Sequence, residues 1–404
     1  MSIVFINRFY WPDETATAQL LTDLAEGLAA RGREVTVITS RPPAAPATAE
    51  FRRGVRIVRV GSTRSARPGL AAKALDFATF FAGAIARLLR FARRGDAIVA
   101  LTDPPLIGAG AWLVAGARGA RCFHWIQDIY PEIAEVLTGH AEWRALRPWR
   151  DRAWRGAAAC VTLGGEMASV VARSGVPSAR IQVLANWAPA GLEPPPADVT
   201  GAVRAAWGVT GRLVVGYSGN FGRVHDLEPV LALAAAVADT PDIVFVFVGG
   251  GPQRAGLEAE AARRGLPNVR FRAAEPRAGL GASLGAADLH LVTLRPGCEE
   301  YVFPSKLYGI AAVGRPVLFI GPPECELART VAAEGLGQAF GRAETAAMAA
   351  FLRELSDAPA RAAPYRAAAL RFSTQNGGAP AAAAAWEKIL AFPAGADSEC
   401  PPTL

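Results

Sequence analysis

The chain reads as an α/β protein built from two doubly wound parallel-sheet halves. Three observations carry that reading. Short apolar runs alternate with helical patterns from end to end, a proline-rich stretch divides the chain near its middle, and 404 residues exceed what one core usually fills. Strands that are apolar throughout, with helices between them, belong to parallel sheets covered on both faces.

In the first half the runs at 2–6, 34–38, 55–58, 97–101, 121–125, 158–161 and 181–184 read as strands. The second half supplies runs at 213–217, 243–248, 269–272, 289–293 and 316–319. Helical spacing fills 17–31, 226–239, 252–264 and 324–333, with Asp226 as the expected N-cap and Pro229 in the first turn. Residues 188–196, Ala-Pro-Ala-Gly-Leu-Glu-Pro-Pro-Pro, form a stiff connector. The expected domains are therefore 1–190 and 201–375, and a last helix at 380–392 is expected to pack back on the first. The tail beyond Phe392 is expected to fray. Two such domains facing each other would form a cleft at their strand ends, the usual place for a ligand.

A hydrophobic content of 51% with 20% charged residues excludes a disordered chain. The net charge of +7 permits attraction to nucleic acid, anionic lipid or an anionic substrate and does not choose among them. The cysteines (Cys122, Cys160, Cys298, Cys325, Cys400) include no Cys-x-x-Cys pair, and the four histidines show no His-Glu-x-x-His spacing. Neither a disulfide framework nor a metal site is expected. The chain opens directly on an apolar strand with no basic leader, so a reducing cytoplasm is the expected compartment.

Three strand ends in the second half offer backbone amides and cations, the chemistry of a phosphate-bearing ligand. Gly219-Asn220-Phe221-Gly222-Arg223 ends one strand and Gly249-Gly250-Gly251 another. Tight turns alone account for such glycines as readily as a ligand does. Pro304-Ser305-Lys306 is more specific: the proline holds the loop, Ser305 opens a helix with free amides, and Lys306 places a point charge where the helix dipole disfavours one. In the first half Asp128 and Glu132 follow an apolar strand, where a carboxylate accepts an acceptor hydroxyl's proton or simply caps a helix. The loop after the first strand carries Phe9-Tyr10-Trp11-Pro12-Asp13-Glu14-Thr15-Ala16-Thr17, with acids and hydroxyls suited to sugar hydroxyls and rings suited to stacking or packing. Residues 70–94 combine Leu75, Phe77, Phe80, Phe81, Ile85 and Leu88 with Lys73, Arg87, Arg90, Arg93 and Arg94. The uncharged stretch is too short to span a bilayer; an interfacial amphipathic helix and a buried domain helix both fit.

Together these segments resemble glycosyltransferase family 4, in particular its bacterial branch for O-antigen, capsule and colanic-acid-type polysaccharides. The likeness runs through Phe9-Tyr10-Trp11-Pro12, Leu101-Thr102-Asp103-Pro104-Pro105, Gln127-Asp128-Ile129-Tyr130-Pro131-Glu132, Asn186-Trp187, Gly216-Tyr217-Ser218-Gly219-Asn220-Phe221-Gly222, Val248-Gly249-Gly250-Gly251-Pro252 and Pro304-Ser305-Lys306-Leu307-Tyr308-Gly309. It implies a GT-B fold, two Rossmann-like domains around a cleft, and a metal-independent transfer that retains anomeric configuration. The co-substrate would be a nucleoside-diphosphate sugar, with no further cofactor. The acceptor would be a polyprenyl-diphosphate-linked saccharide at the inner leaflet, with no nucleic-acid partner. Many members carry two glutamates seven residues apart before a Gly-x-Pro turn. Aligned on Gly314-Arg315-Pro316, those places hold Tyr301 and Gly309, and Glu300 beside them is the expected substitute.

The expected roles follow. Asp128, Glu132 and Glu300 are the catalytic carboxylates. Gly219, Asn220, Phe221, Gly222, Arg223, Gly250, Gly251, Ser305, Lys306 and Tyr308 hold the donor, and Glu14, Thr15 and Thr17 meet the acceptor. The competing readings are a nucleotide-sugar epimerase of related layout and a non-catalytic member of a polysaccharide assembly complex.

Overall fold

The structure is a computed structural model and describes residues 1–42, 49–61 and 70–392. The side chain of Lys73, Cys400 and the tail after Phe392 lie outside the described residues. The chain divides into two compact units. The first comprises 1–185, 300–302 and the C-terminal residues from 379, and the second comprises 186–299 and 303–378.

The first unit holds eight strands: β1 (Ile3–Ile6), β2 (Val35–Ser40), β3 (Ala49–Arg52), β4 (Val55–Val60), β5 (Ala97–Ala100), β6 (Arg121–Trp125), β7 (Ala159–Thr162) and β8 (Ile181–Val183). Their spatial order is β3-β4-β2-β1-β5-β6-β7-β8, and every pairing is parallel except β3 with β4. The order reverses between β1 and β5, so the crevice for a ligand lies at the carboxyl ends of those two strands. β1, β2 and β5 are buried along their whole length, as strands covered on both faces must be.

The second unit holds β9 (Leu213–Asn220), β10 (Ile243–Gly250), β11 (Val269–Arg272), β12 (Leu289–Thr293), β13 (Val317–Ile320) and β14 (Gly337–Phe340), ordered β11-β10-β9-β12-β13-β14 and parallel throughout. Here the reversal falls between β9 and β12. Those strands pair only at Leu289–Val215 and His290–Gly216, then part, whereas β9 and β10 stay paired to Gly250 and Asn220. The splay opens the switch point. Gly216 is glycine because a Cβ there would lie 2.9 Å from the buried His290 ring.

Two strands were not legible as apolar runs: β3 is a short antiparallel edge, and β14 carries Gln338 on a half-exposed face. The Asp226 cap is corrected. The helix begins at Glu228 after Leu227, and Asp226 is buried with its carboxylate 3.4 Å from Arg342. An ion pair outcompetes the cap because the carboxylate is withdrawn from water and needs a full opposite charge.

The C-terminal helix Gly378–Leu390 completes the first unit's core. Trp386 is fully buried, 5.4 Å from Trp125 and 6.4 Å from Phe5 between ring centroids, both edge-on. Glu387 bridges Arg31 and Arg33, each at 2.8 Å, and Arg121 donates to the Phe392 carbonyl. Among the described residues no helix is long and apolar enough to cross a membrane. Trp386→Ala is expected to destabilise the first unit by about 3–5 kcal/mol, the range for truncating a buried tryptophan. Urea unfolding followed by fluorescence checks this, and a loss below about 1 kcal/mol would mean the helix is only loosely docked.

Candidate active site

In the second unit, strand geometry brings the glycine loops together. Gly219, Gly249 and Gly251 have φ of 120°, 137° and 138°, values that L side chains rarely adopt. A Cβ on Gly249 would strike the Gly219 carbonyl, and one on Gly251 would strike the Asn220 side chain. These glycines therefore serve close backbone approach first. Phe221 donates its N–H to Gly250 O (2.8 Å), and Gln253 Nε2 donates to the carbonyls of Gly222 (2.6 Å) and His225 (3.0 Å). The loop is thus held rigid while Gly219, Asn220 and Gly250 stay exposed at the strand ends.

Lys306 begins the short helix Lys306–Ala312, and its stem packs inward. Its Nζ lies 3.7 Å from the ring centroid of Tyr217, is withdrawn from solvent, and has no hydrogen-bond acceptor among the described residues. Burial pulls its pKa down to about 7. Tyr217 in turn packs on Phe221 (5.3 Å) and Phe247 (5.9 Å) and donates its hydroxyl to Asn220 O (3.0 Å), which fixes the ring under the ammonium. His225 stands 6.0 Å from the same ring and shares a 2.8 Å hydrogen bond between Nδ1 and the Thr293 carbonyl. Its pKa is pushed down to about 3, first by burial and then by the charge of Lys306. A neutral imidazole with Nδ1–H donating leaves Nε2 as an acceptor.

The other residues expected to hold the donor are placed differently. Arg223 is exposed, with its carbonyl accepting from Arg295 Nε (3.0 Å). Ser305 makes no side-chain cap. Tyr308 is buried, stacks on Phe372 at 6.0 Å and lies 6.2 Å from Phe303, and burial raises its phenol pKa. It acts in packing.

In the first unit, the switch point at β1 and β5 gathers Arg8, Thr102, Asp103 and Asp128. Arg8 grips Asp103 through Nε (3.0 Å) and a second nitrogen (3.2 Å), and its guanidinium lies against the rings of Phe9 (4.4 Å) and Phe77 (4.7 Å). Asp128 donates its backbone N–H to Thr102 Oγ1 (3.2 Å) and pairs with Val302 in an isolated bridge, while Ile129 N–H donates to Tyr301 O (2.8 Å). The residue is half-buried as a whole, but its carboxyl is deep. Burial, then the charge of Asp103, pushes the Asp128 pKa up to about 7. A small cavity of about 30 Å³ adjoins it, walled by Pro105, Leu106 and Arg150 among others.

Glu132 differs from Asp128 although only four residues away. Arg150 holds it at 2.6 and 2.9 Å, Arg147 reaches it at 3.2 Å, and the Arg150 guanidinium rests 4.0 Å over Trp154. A carboxylate gripped at both oxygens in a buried pair ties the elements that carry the two partners. Glu300 packs with the first unit and pairs with Arg173 (2.8 Å) on its surface. Thr15 caps the helix Ala16–Ala30, accepting from Ala18 N–H (3.4 Å); Glu14 is exposed and Thr17 half-buried. Arg8, Asp103, Tyr217, His225 and Thr293 were missed as site residues. Asp103 and Tyr217 stood inside the quoted motifs, but their roles depend on the parting of strands far apart in sequence.

Residues 15–187 match the family described as a glycosyl transferase 4-like domain. The chain is similar to a putative colanic acid biosynthesis glycosyl transferase, WcaI, of Escherichia coli strain K12, with 27% identity over 334 residues, 78% of this chain and 82% of that protein. Among solved structures it is similar to sucrose-phosphate synthase of Thermosynechococcus elongatus (TM-score 0.78, 17% identity, 96% of this chain and 98% of the other). It is also similar to Anabaena HepE in complex with UDP and glucose (TM-score 0.74, 15% identity, 96% and 99%). Residues 15–187 match the glycosyl transferase 4-like domain, and the two parallel-sheet α/β units with these structural likenesses show the GT-B fold.

Proposed function

We propose that this chain moves a sugar from a nucleoside-diphosphate sugar to a polyprenyl-diphosphate-linked saccharide, with retention and without a metal ion, in bacterial surface-polysaccharide assembly at the inner face of the plasma membrane. The name of the E. coli relative supports the pathway class, and the UDP and glucose seen with HepE support the donor class. The observation that carries the reading is Lys306. A buried ammonium with only an aromatic face for company is costly, and an anionic ligand relieves that cost.

In the proposed step the bond from the anomeric carbon to the diphosphate oxygen breaks, and its electron pair leaves with the diphosphate. Lys306, exposed Arg223 and the strand-end amides meet that charge as it builds. The acceptor hydroxyl forms the new bond, and its proton passes to Asp128, whose pKa near neutrality suits a general base. Glu132 keeps Arg150 in place, and His225 in its neutral form accepts a hydrogen bond from a donor hydroxyl.

Three outcomes test this. In a thermal-shift panel, one nucleoside diphosphate should raise the melting temperature while its bare nucleoside does little, and Lys306→Met should weaken that ligand by roughly 10–100-fold, the worth of a hydrogen bond to a charged group. An undiminished shift in the variant would sink the role of Lys306. Second, the ammonium pKa of about 7 should rise when a diphosphate sits against it, so binding takes up a proton at about pH 8 and weakens as pH climbs. Calorimetry in buffers of different ionisation enthalpy reads this directly. Third, Asp128→Asn should lower transfer by about 10²–10⁴-fold with nucleotide affinity intact. Its stability effect has a definite sign. The folded carboxyl holds its proton up to about pH 7, above the unfolded value, so the wild type loses stability as pH rises through that window. The amide cannot ionise, and the variant should melt higher than wild type at about pH 8 and nearly level with it at about pH 4.

A further inference from the structure

An unexplained feature lies in the first unit. Helices Leu70–Phe91 and Ile107–Arg118 flank a groove of about 690 Å³ whose lining is almost entirely carbon. Its volume falls within the roughly 300–1,000 Å³ of small-molecule sites. Phe81 and Ile85 form its floor, where they meet Gly110 so closely that a Cβ there would lie 2.8 Å from each. Its rim keeps large apolar side chains in water: Leu89 is 44% exposed, Leu113 58% and Trp149 64%. A soluble surface rarely leaves such a patch without a partner.

Three further observations identify the occupant. Pro105, Leu106 and Ala109 line both this groove and the small cavity beside Asp128, so the apolar channel and the acceptor-side carboxyl share a wall. Leu106 on that wall has φ of 67°, a left-handed conformation that a leucine rarely takes and that strained functional segments hold. At the polar end Arg8 lies against Phe77 of the groove while it grips Asp103. The occupant is therefore apolar along its length and polar at the end that reaches Asp128.

We propose that this groove holds a hydrocarbon chain of the lipid-linked acceptor, threading the polyprenyl tail between the two helices so that the saccharide end is delivered past Leu106 to Asp128. The inference rests on the transferase reading and adds to it a residue-level tail site. It differs from simple adhesion to an anionic bilayer, because a groove selects a chain that enters it while a charged face binds any anionic surface.

The test compares vesicles of phosphatidylcholine carrying either a polyprenyl phosphate or phosphatidylglycerol at equal surface charge, with wild type, Leu113→Glu and Leu113→Trp. Wild type should bind the polyprenyl vesicles about tenfold more tightly. Leu113→Glu should erase that preference while leaving phosphatidylglycerol binding within about twofold, and Leu113→Trp should lower it by filling the groove. Leu113 is largely exposed, so both variants should fold, and an unchanged thermal shift with the nucleoside diphosphate verifies this on the second unit. Equal affinity of wild type for the two lipids, or a preference that survives both variants, overturns the tail site. So does a wild-type dimer that Leu113→Glu dissociates, since a second copy would then occupy the groove. The two readings fail separately: absence of any nucleotide shift in wild type strikes the donor site, whereas equal lipid affinity with that shift intact strikes the groove.

Discussion

The second unit is organised around a charge it cannot neutralise by itself. Where β9 and β12 part, the Lys306 ammonium sits over the Tyr217 ring with no acceptor among the described residues. Keeping it there depends on the ring, the ring depends on Phe221 and Phe247, and Phe221 depends on its bond to Gly250. His225 is depressed first by its own burial and then by the charge of the same ammonium. A protein could relieve this cost with a single aspartate. That it does not is the physical argument for an anionic ligand, because the attraction held back from the fold is then available for binding.

The first unit shows the complementary arrangement with carboxylates. Glu132 is neutralised at both oxygens by Arg150 and helped by Arg147, which makes it part of the scaffold. Asp128 faces another acid, Asp103, which Arg8 already occupies. Residue type does not separate these carboxylates; their partners do. The groove between helices Leu70–Phe91 and Ile107–Arg118 shares Pro105, Leu106 and Ala109 with the cavity beside Asp128.

The glycine loops carry a more sober lesson. Their sequence suggested room for a pyrophosphate, yet Gly249 and Gly251 are required by neighbouring backbone and by Asn220 before any ligand arrives. Both demands coexist, since strands that approach so closely also end in exposed amides. The donor-side residues differ in kind for similar reasons. Tyr308 and Phe221 are core, Asn220 and Arg223 are exposed, and Lys306 is neither solvated nor paired.

Apolar periodicity and punctuation were enough to determine two parallel-sheet α/β units and the strands of their cores, because burial on both faces of a sheet writes itself into every residue of a strand. Edge strands β3 and β14 escaped, being only partly covered. Tertiary structure alone decided that Asp226 pairs with Arg342 instead of capping a helix, and that Glu132 is tied while Asp128 is not. It alone placed Trp386 between Trp125 and Phe5, and Glu300 against Arg173. Those outcomes turn on which charges and rings meet across long sequence separations, and a charge takes its meaning from the partner and the water that remain around it.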